Sequence, residues 1–386
     1  MGSWSGVGVG LGHSLRLSLS DWRCIKLESR CSSKFRFCGT VRQSVGLNSE
    51  YKVWGIQRKR VRVQGSGSWS CEEVMSLLEA DLPRLFDEQG IDKSMYEKDV
   101  KFRDPITKHD SLDGYLFNIS LLRLIFSPLF QLHSLKQTGP NDITTRWTMV
   151  MRFGLLPWRP ELVFTGTTVM SINPETGKFR SHVDYWDSIK QNDYFSFEGL
   201  MDVIKQLRIF TTPDLETPKY QILKRTADYE VRKYEPFIVI ETKGDKLTGS
   251  SGFNDVTGYI FGKNTKKEKI PMTTPVFTQK TEASSQVQIQ VVLPLERKIS
   301  DLPEPPSEGL KLREIEGNIV AATKFSGKVT EEMVYEKENK LRAALVRDGI
   351  QPKQGCMLAR YNDPDRTWNF IMRNEVLIPL ETFVLG

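Results

Sequence analysis

The stretch Ile270-Pro271-Met272-Thr273-Thr274-Pro275-Val276-Phe277 decides how the second half of this chain is read. Two prolines four residues apart forbid a helix interior. The apolar and β-branched residues around them read as a strand pinned at its ends by proline. Upstream, Lys263, Lys266, Lys267 and Lys269 form a basic loop, and residues 251–261 read as a short helix closed by Gly262. Downstream, Val287, Ile289 and Val291 alternate with polar residues, the period of a half-buried strand. Strands are expected at 220–226, 229–241, 270–279 and 286–293 around that helix. A second set follows at 310–315, 319–325, 355–361 and 369–379, around a helix over 330–347. Val334, Leu341 and Leu345 give this helix one apolar face, and Thr330 followed by Glu331 and Glu332 suits its start. The half therefore reads as two ββαββ units joined at Pro303-Glu304-Pro305-Pro306, which predicts a distorted β-barrel with two flanking helices.

The first half has a different rhythm. Val74, Leu77, Leu78, Leu82, Leu85 and Phe86 form a helical stripe over 72–89, ended by Gly90. A second apolar helix runs over 113–126 and stops before Pro128. Strands follow at 144–153, 162–172 and 178–186, then a closing helix at 198–210. Helices followed by an antiparallel sheet make this an α+β pattern. His182 and Asp184 lie two apart on a strand and share a face. Turned inward they would suit acid–base work; they are read here as solvent-facing or satisfied by hydrogen bonds. Asp104, before Pro105, reads as a turn former. Trp147, Met149 and Met151 share a face. His109 and His133 lack ligand spacing, and no metal site is visible. The layout is thus a leader over 1–65, a first domain over 71–212, a loosely connecting linker over 213–219, and a second domain over 220–386.

With 386 residues, 39% hydrophobic and 26% charged, the composition suits a globular protein. The most apolar stretch, 116–132, is broken by Asn118, Arg123 and Pro128 and reads as a buried helix, so no integral membrane contact is expected. Residues 1–65 are rich in Ser, Gly and Arg, hold only Asp21, Glu28 and Glu50 as acids, and contain Arg58-Lys59-Arg60-Val61-Arg62. This reads as a cleaved plastid transit peptide, with a nucleic-acid-binding basic tail as the alternative. The leader inflates the net charge of +6, so no nucleic-acid partner is inferred. Its Gly6-Val7-Gly8-Val9-Gly10 run and its spaced Cys24, Cys31 and Cys38 carry no phosphate or metal pattern. Cys71 and Cys356 remain, which fits a reducing interior.

The run Lys269-Ile270-Pro271-Met272-Thr273-Thr274-Pro275-Val276, with Arg373-Asn374-Glu375-Val376, resembles the SOUL heme-binding family. The stretches from Tyr229 to Glu235 and from Ala322 to Gly327 support the likeness, which covers 220–386. The first domain, through Met95-Tyr96, the run from Val100 to Pro105, and Gly114-Tyr115, is similar to the SnoaL-like branch of the nuclear-transport-factor-2-like cone fold. The SOUL resemblance implies a reversible, soluble, non-enzymatic heme or tetrapyrrole carrier. Phe253, Val256, Tyr259, Ile260 and Met272 are candidates for its apolar slot. Lys263, with Lys266, Lys267 and Lys269, is the candidate rim for the propionates. Arg373 is placed in an ion pair with Glu375 or in reach of a propionate. All four histidines precede residue 220, so no axial histidine is available; Tyr361, Tyr259, Met272 and Cys356 remain as iron ligands, none favoured. A tetrapyrrole-pathway protein in the plastid is the expected partner. The alternatives are a cone-domain enzyme of isomerase, cyclase or dehydratase type with the barrel as a sensor, or a scaffold that uses neither cavity.

Overall fold

Prolines and strand edges set most element boundaries. The computed structural model describes residues 71–386 apart from 193, 249–251, 281–286 and 386. The expected transit peptide, its glycine run and its three cysteines lie outside the described residues.

The described residues begin with α1 (Cys71–Asp81). The helical stripe was expected to reach residue 89, but Pro83 has no N–H to donate, and a 3-10 turn at Leu82–Arg84 takes over. The mixed stretch that follows is a strand, β1 (Tyr96–Arg103), and β2 (Lys108–His109) turns back on it. Helix α2 (Leu112–Ile125) is capped by the Ser111 side chain and buries Tyr115, Asn118 and Ile119, spaced three and four apart on one face. The single buried helix expected over 116–132 divides here. Its second part is the strand β3 (Phe126–Gln137), an edge strand, where Pro128 is tolerated. Next come β4 (Asp142–Phe153), β5 (Glu161–Ile172), β6 (Phe179–Trp186) and α3 (Phe197–Gln206). Their sheet has the order β2-β1-β6-β5-β4-β3, antiparallel except where β1 runs parallel to β6.

The second sheet has nine strands. They are β7 (Tyr220–Arg225), β8 (Glu230–Tyr234), β9 (Phe237–Gly244), β10 (Val276–Lys280), β11 (Val287–Val292), β12 (Lys311–Ile315), β13 (Ile319–Phe325), β14 (Met357–Arg360) and β15 (Asn374–Pro379). Helix α4 (Phe253–Ile260) packs on β9 and β11, and α5 (Glu331–Arg347) on β13 and β15. The order β12-β9-β11-β10-β14-β15-β13-β8-β7 is symmetric about the β10–β14 pair, with β7 added at one end. The two expected ββαββ units are visible in that symmetry. The sheet is open: its end strands are β12 and β7, and no closed barrel forms among the described residues. The chain is thus α+β, with two sheet-rich regions and few helices.

The strand expected over 270–279 begins only at Val276. Pro271 and Pro275 cannot donate to a ladder, so threonine hydroxyls tie this segment down instead. Thr273 Oγ1 donates to the Val292 carbonyl at 2.5 Å and Thr274 Oγ1 to the Tyr361 carbonyl at 3.0 Å. The Thr274–Pro275 peptide is cis.

The halves are not loosely joined. Strand β7, an edge of the second sheet, lies against the outer face of the first. Thr148 Oγ1 donates to the Ile222 carbonyl at 2.8 Å. Because that proton is committed, His133 Nε2 must donate to Thr148 Oγ1, at 2.8 Å. Thr165 Oγ1 accepts from the Arg225 N–H at 2.7 Å, and the Arg225 guanidinium makes a two-pronged pair with Asp202, at 2.8 and 2.9 Å. The linker is stitched as well: Glu216 bridges to Thr273, and Thr211, just before the linker, to Met372.

Candidate functional site

In the second half, the sequence candidates separate into three environments. Val256, Tyr259 and Ile260 are buried in one core with Ile240, Ile289 and Leu293. The Tyr259 hydroxyl donates to the Pro303 carbonyl at 2.6 Å. Helical spacing places these residues on one face of α4, and that face is the one packed on the sheet. Phe253 is half-buried beside the same core. The second environment is the basic loop. Asn264 is its keystone: its side-chain amide donates to the carbonyls of Tyr259 and Glu268, and its oxygen accepts the Glu268 N–H. The Lys263 stem lies over Gly258, leaving little room for a side chain there. Lys263, Lys267 and Lys269 remain exposed, while Lys266 donates to the Asp301 carbonyl. The Ile270 N–H donates to the Ile260 carbonyl at 2.9 Å, which draws together the two ends of the loop and with them Phe261, 57% exposed, and Met272, 51% exposed.

The third environment holds Tyr361 and Arg373, in a buried ion cluster. Arg232 and Glu375, both 0% exposed, pair through two bonds of 2.6 and 3.0 Å. Arg373 pairs with the same carboxylate at 2.8 Å and lies over the Tyr361 ring, whose hydroxyl donates to Glu375 at 2.9 Å. Arg232 also pairs with Glu230, which Lys324 contacts at 2.9 Å. Burial alone would raise the Glu230 carboxyl, but the charges of Lys324 and Arg232 outweigh it and hold it down to about 2. Burial also opposes the charge on Glu375, yet Arg232 and Arg373 together hold its carboxyl well below the usual range. Tyr361 and Arg373 are therefore committed to this cluster. Burial pushes the Cys356 thiol up, away from the thiolate an iron would need.

The first half contains an enclosed site in which His182 and Asp184 are satisfied by hydrogen bonds, one of the two expectations, rather than solvent-facing. The inner face of its sheet presents residues in register. Thr145 stands opposite Thr168, and Thr168 opposite Asp184. The neighbouring row on one side is Ile143, Met170, His182 and Phe102, and on the other Trp147, Gly166 and Trp186. Gly166 is required by close approach: a side chain there would meet the Tyr185 carbonyl and the Trp147 ring. Asp104 follows the end of β1, one residue past the Arg103–Val183 pairing and so on the side of Asp184. A cavity of about 60 Å³ lies above these rows, under α2 and the segment from Leu82 to Phe86. His182 and Asp184 therefore face the cavity, not solvent. His182 Nε2 lies 3.1 Å from Asp184 Oδ1, and Thr168 donates to the same oxygen. Trp147 Nε1 donates to Thr168 at 2.7 Å, and the Tyr115 hydroxyl lies 3.4 Å from His182 Nδ1. Asp104 is a turn former, as expected, since it accepts from Ile106 N, Thr107 N and Thr107 Oγ1. It also lines the cavity. Burial, reinforced by the charge of Asp184, pushes its carboxyl up to about 6 despite those bonds.

Residues 215–379 match the family described as SOUL heme-binding protein. Over those residues, less than half of the chain, the second half is similar to the SOUL family. Human heme-binding protein 2 is 27% identical to the chain over 176 residues, 42% of this chain and 84% of the relative. Residues 72–182 match a family described as an uncharacterized conserved protein (DUF2358). Solved structures similar to the chain include an NTF2-like protein of unknown function from Exiguobacterium sp. 255-15, at 13% identity and a TM-score of 0.25, covering 29% of this chain and 98% of that one. A putative SnoaL-like polyketide cyclase from Shewanella denitrificans OS-217 is similar at 17% identity and a TM-score of 0.27, covering 35% and 96%.

In the SOUL half, sequence reasoning found the basic loop and the Arg373–Glu375 pair but not Arg232, the centre of the ion cluster. The alternation of Glu230, Arg232 and Tyr234 on one face of β8 was the available signal. Phe261, at the end of the α4 pattern, carries no signal of its own in the sequence. In the first half, Thr145 and Asn118 carry no signal in the sequence, because a lone threonine on a strand and an asparagine in a helix stand out only once the cavity joins them.

Proposed function

We propose that the SOUL half reversibly binds heme or a related tetrapyrrole, by apolar contact and pairing to propionates, without a fixed iron ligand and without chemistry of its own. The observation that carries this reading is the match of residues 215–379 to the SOUL heme-binding family; the relative named heme-binding protein 2 supports it. The side chains present fit the ring better than they fit the metal. No histidine occurs after residue 182. The hydroxyls of Tyr259 and Tyr361 are engaged, and Cys356 is buried. Exposed Phe261 and Met272, with half-buried Phe253, offer an apolar edge. Lys263, Lys267 and Lys269 offer cations for two carboxylates. A plastid setting, supported by the composition of residues 1–65, and a tetrapyrrole-pathway protein as donor or acceptor complete the reading.

The test is a Soret titration of the full chain with heme and with metal-free protoporphyrin. Both rings should bind saturably, one per chain, with similar affinity. Phe261→Asp should weaken both by roughly tenfold or more, the equivalent of about 1.4 kcal/mol, and His182→Ala should change neither. Absence of saturable binding would remove the proposal. Heme binding without protoporphyrin binding would show that iron ligation dominates and overturn the ring-contact reading.

A further inference from the structure

Helix α3 carries an apolar face outward, the reverse of the usual arrangement. Its inner face is fixed by polar contacts: Asp202 is buried and paired with Arg225, and Gln206 accepts the Val163 N–H at 2.6 Å. Val203 packs on the same side, against the core that holds Met151 and Leu162. Phe197, Leu200 and Ile204, three and four residues apart, form one stripe on the opposite side, and all three are exposed, Phe197 to 75%. The stripe is extended at both ends. Before the helix, Phe195 is 74% exposed at a φ of 60°, a left-handed conformation that a bulky side chain seldom takes; the next residue, Ser196, holds the segment by donating its N–H to the Pro105 carbonyl at 2.8 Å. Beyond the last turn, Trp158, from the loop over 154–160, donates Nε1 to the Leu207 carbonyl at 3.2 Å. Cations surround the stripe. The Lys190 N–H bonds Glu198 in the first turn, Lys108 lies over the Tyr194 ring next to Phe195, Lys205 flanks the helix, and Arg159 follows Trp158; all four are exposed. Of the acids nearby, Asp202 is turned inward and Glu161 is paired with Arg152.

We propose that this face docks on an anionic lipid bilayer, lying in the interface rather than crossing it. The occupant follows from the apolar and the charged groups together. Phenylalanine, leucine, isoleucine and tryptophan side chains on one helical face suit the boundary between headgroups and acyl chains. The surrounding ammonium and guanidinium groups then stand at the level of the phosphates, where anionic lipids attract them. A second copy of the chain is a poorer fit, because a two-fold contact sets the flanking cations of one copy against those of the other. A tetrapyrrole is a poorer fit too, since a small ligand calls for a concave site and a helix stripe is convex. The contact is independent of tetrapyrrole binding, but it has a consequence for it: α3 is tied to β7 through Asp202 and Arg225, so docking through α3 brings the SOUL half to the same lipid surface.

The experiment is flotation of the full chain with vesicles of phosphatidylcholine, alone and with about one-third phosphatidylglycerol, in about 0.1 M and about 1 M salt. At low salt the wild type should bind the anionic vesicles about tenfold or more tightly than the neutral ones. Residues 1–65 carry cations of their own, so the variants decide. Phe197→Asp and Ile204→Asp, both at exposed positions, should each weaken binding about tenfold or more. Lys205→Gln should weaken it about fivefold on the anionic vesicles. Vesicles with brominated acyl chains should quench the wild type more than Trp158→Phe. Near-UV circular dichroism reports whether each variant is folded, and the Soret titration should match the wild type in all of them. Folded Phe197→Asp and Ile204→Asp chains that float as the wild type does would assign the binding to residues 1–65 and overturn the proposal. Equal quenching of the wild type and Trp158→Phe would overturn it as well. So would a wild type that ignores vesicles but forms a dimer, measured by light scattering, that the aspartate variants dissociate.

Discussion

Arg225→Met tests whether the two halves act as one body. Arg225 sits on β7 of the SOUL half, and its partner Asp202, on α3 of the first half, is 3% exposed. Methionine keeps the length of the stem and removes the charge. Asp202 then retains the Ser188 hydroxyl at 3.0 Å and the Gln206 amide at 3.3 Å but no cation. Removing one member of a buried pair costs about 3–5 kcal/mol, since the remaining charge stays desolvated. With an unfolding slope of about 3 kcal/mol/M in urea, the midpoint should fall by somewhat more than about 1 M. Urea unfolding is followed by far-ultraviolet circular dichroism for the whole chain and by tryptophan fluorescence, weighted to the first half by Trp147, Trp158 and Trp186. In the wild type both probes should share one transition; in the variant they should shift together or separate. The double variant Arg225→Met with Asp202→Asn removes the orphaned charge and should recover part of the loss. A loss below about 1 kcal/mol, the scale of an exposed pair, would refute the reasoning, as would strictly additive single variants.

The ion cluster predicts a pH dependence. The Glu230 carboxyl is held at about 2 in the fold against an ordinary 4.5, so its contribution is fully present above about 4.5 and is lost as pH falls toward 2. Between pH 6 and pH 3 stability should drop by on the order of 2 kcal/mol from this group alone; in Glu230→Gln, urea midpoints over that range should fall correspondingly less, and an unchanged slope would count against the pairing. Cys356 is buried and its thiol is pushed up, so a maleimide should label it only on unfolding, with labelling tracking urea; rapid labelling of the folded chain would contradict its placement.

Local pattern made much of this protein legible in advance. The alternation in 286–293, the apolar face of α5, the threonine before it and the proline-bounded run near 270 all depend on neighbours a few residues apart. They yielded the strands, both helices of the SOUL half and its two similar units. The Arg373–Glu375 pair was readable for the same reason, two residues apart on one strand. Three features were settled by residues far apart in sequence. Arg232 meets Glu375 across 143 positions, and only the placement of β8, β13 and β15 in one sheet brings that pair into a core with no water to screen it. Val256, Tyr259 and Ile260 carry the same apolar signal whether they line a slot or fill a core, and packing of α4 on β9 and β11 put them in the core. His182 and Asp184 share a face on any strand, but which face is inside depended on β7 covering the outer side of the first sheet and α2 closing the inner one. Spacing along a chain specifies which side chains point together; whether they point at water, at protein or into a cavity is fixed by what packs against them.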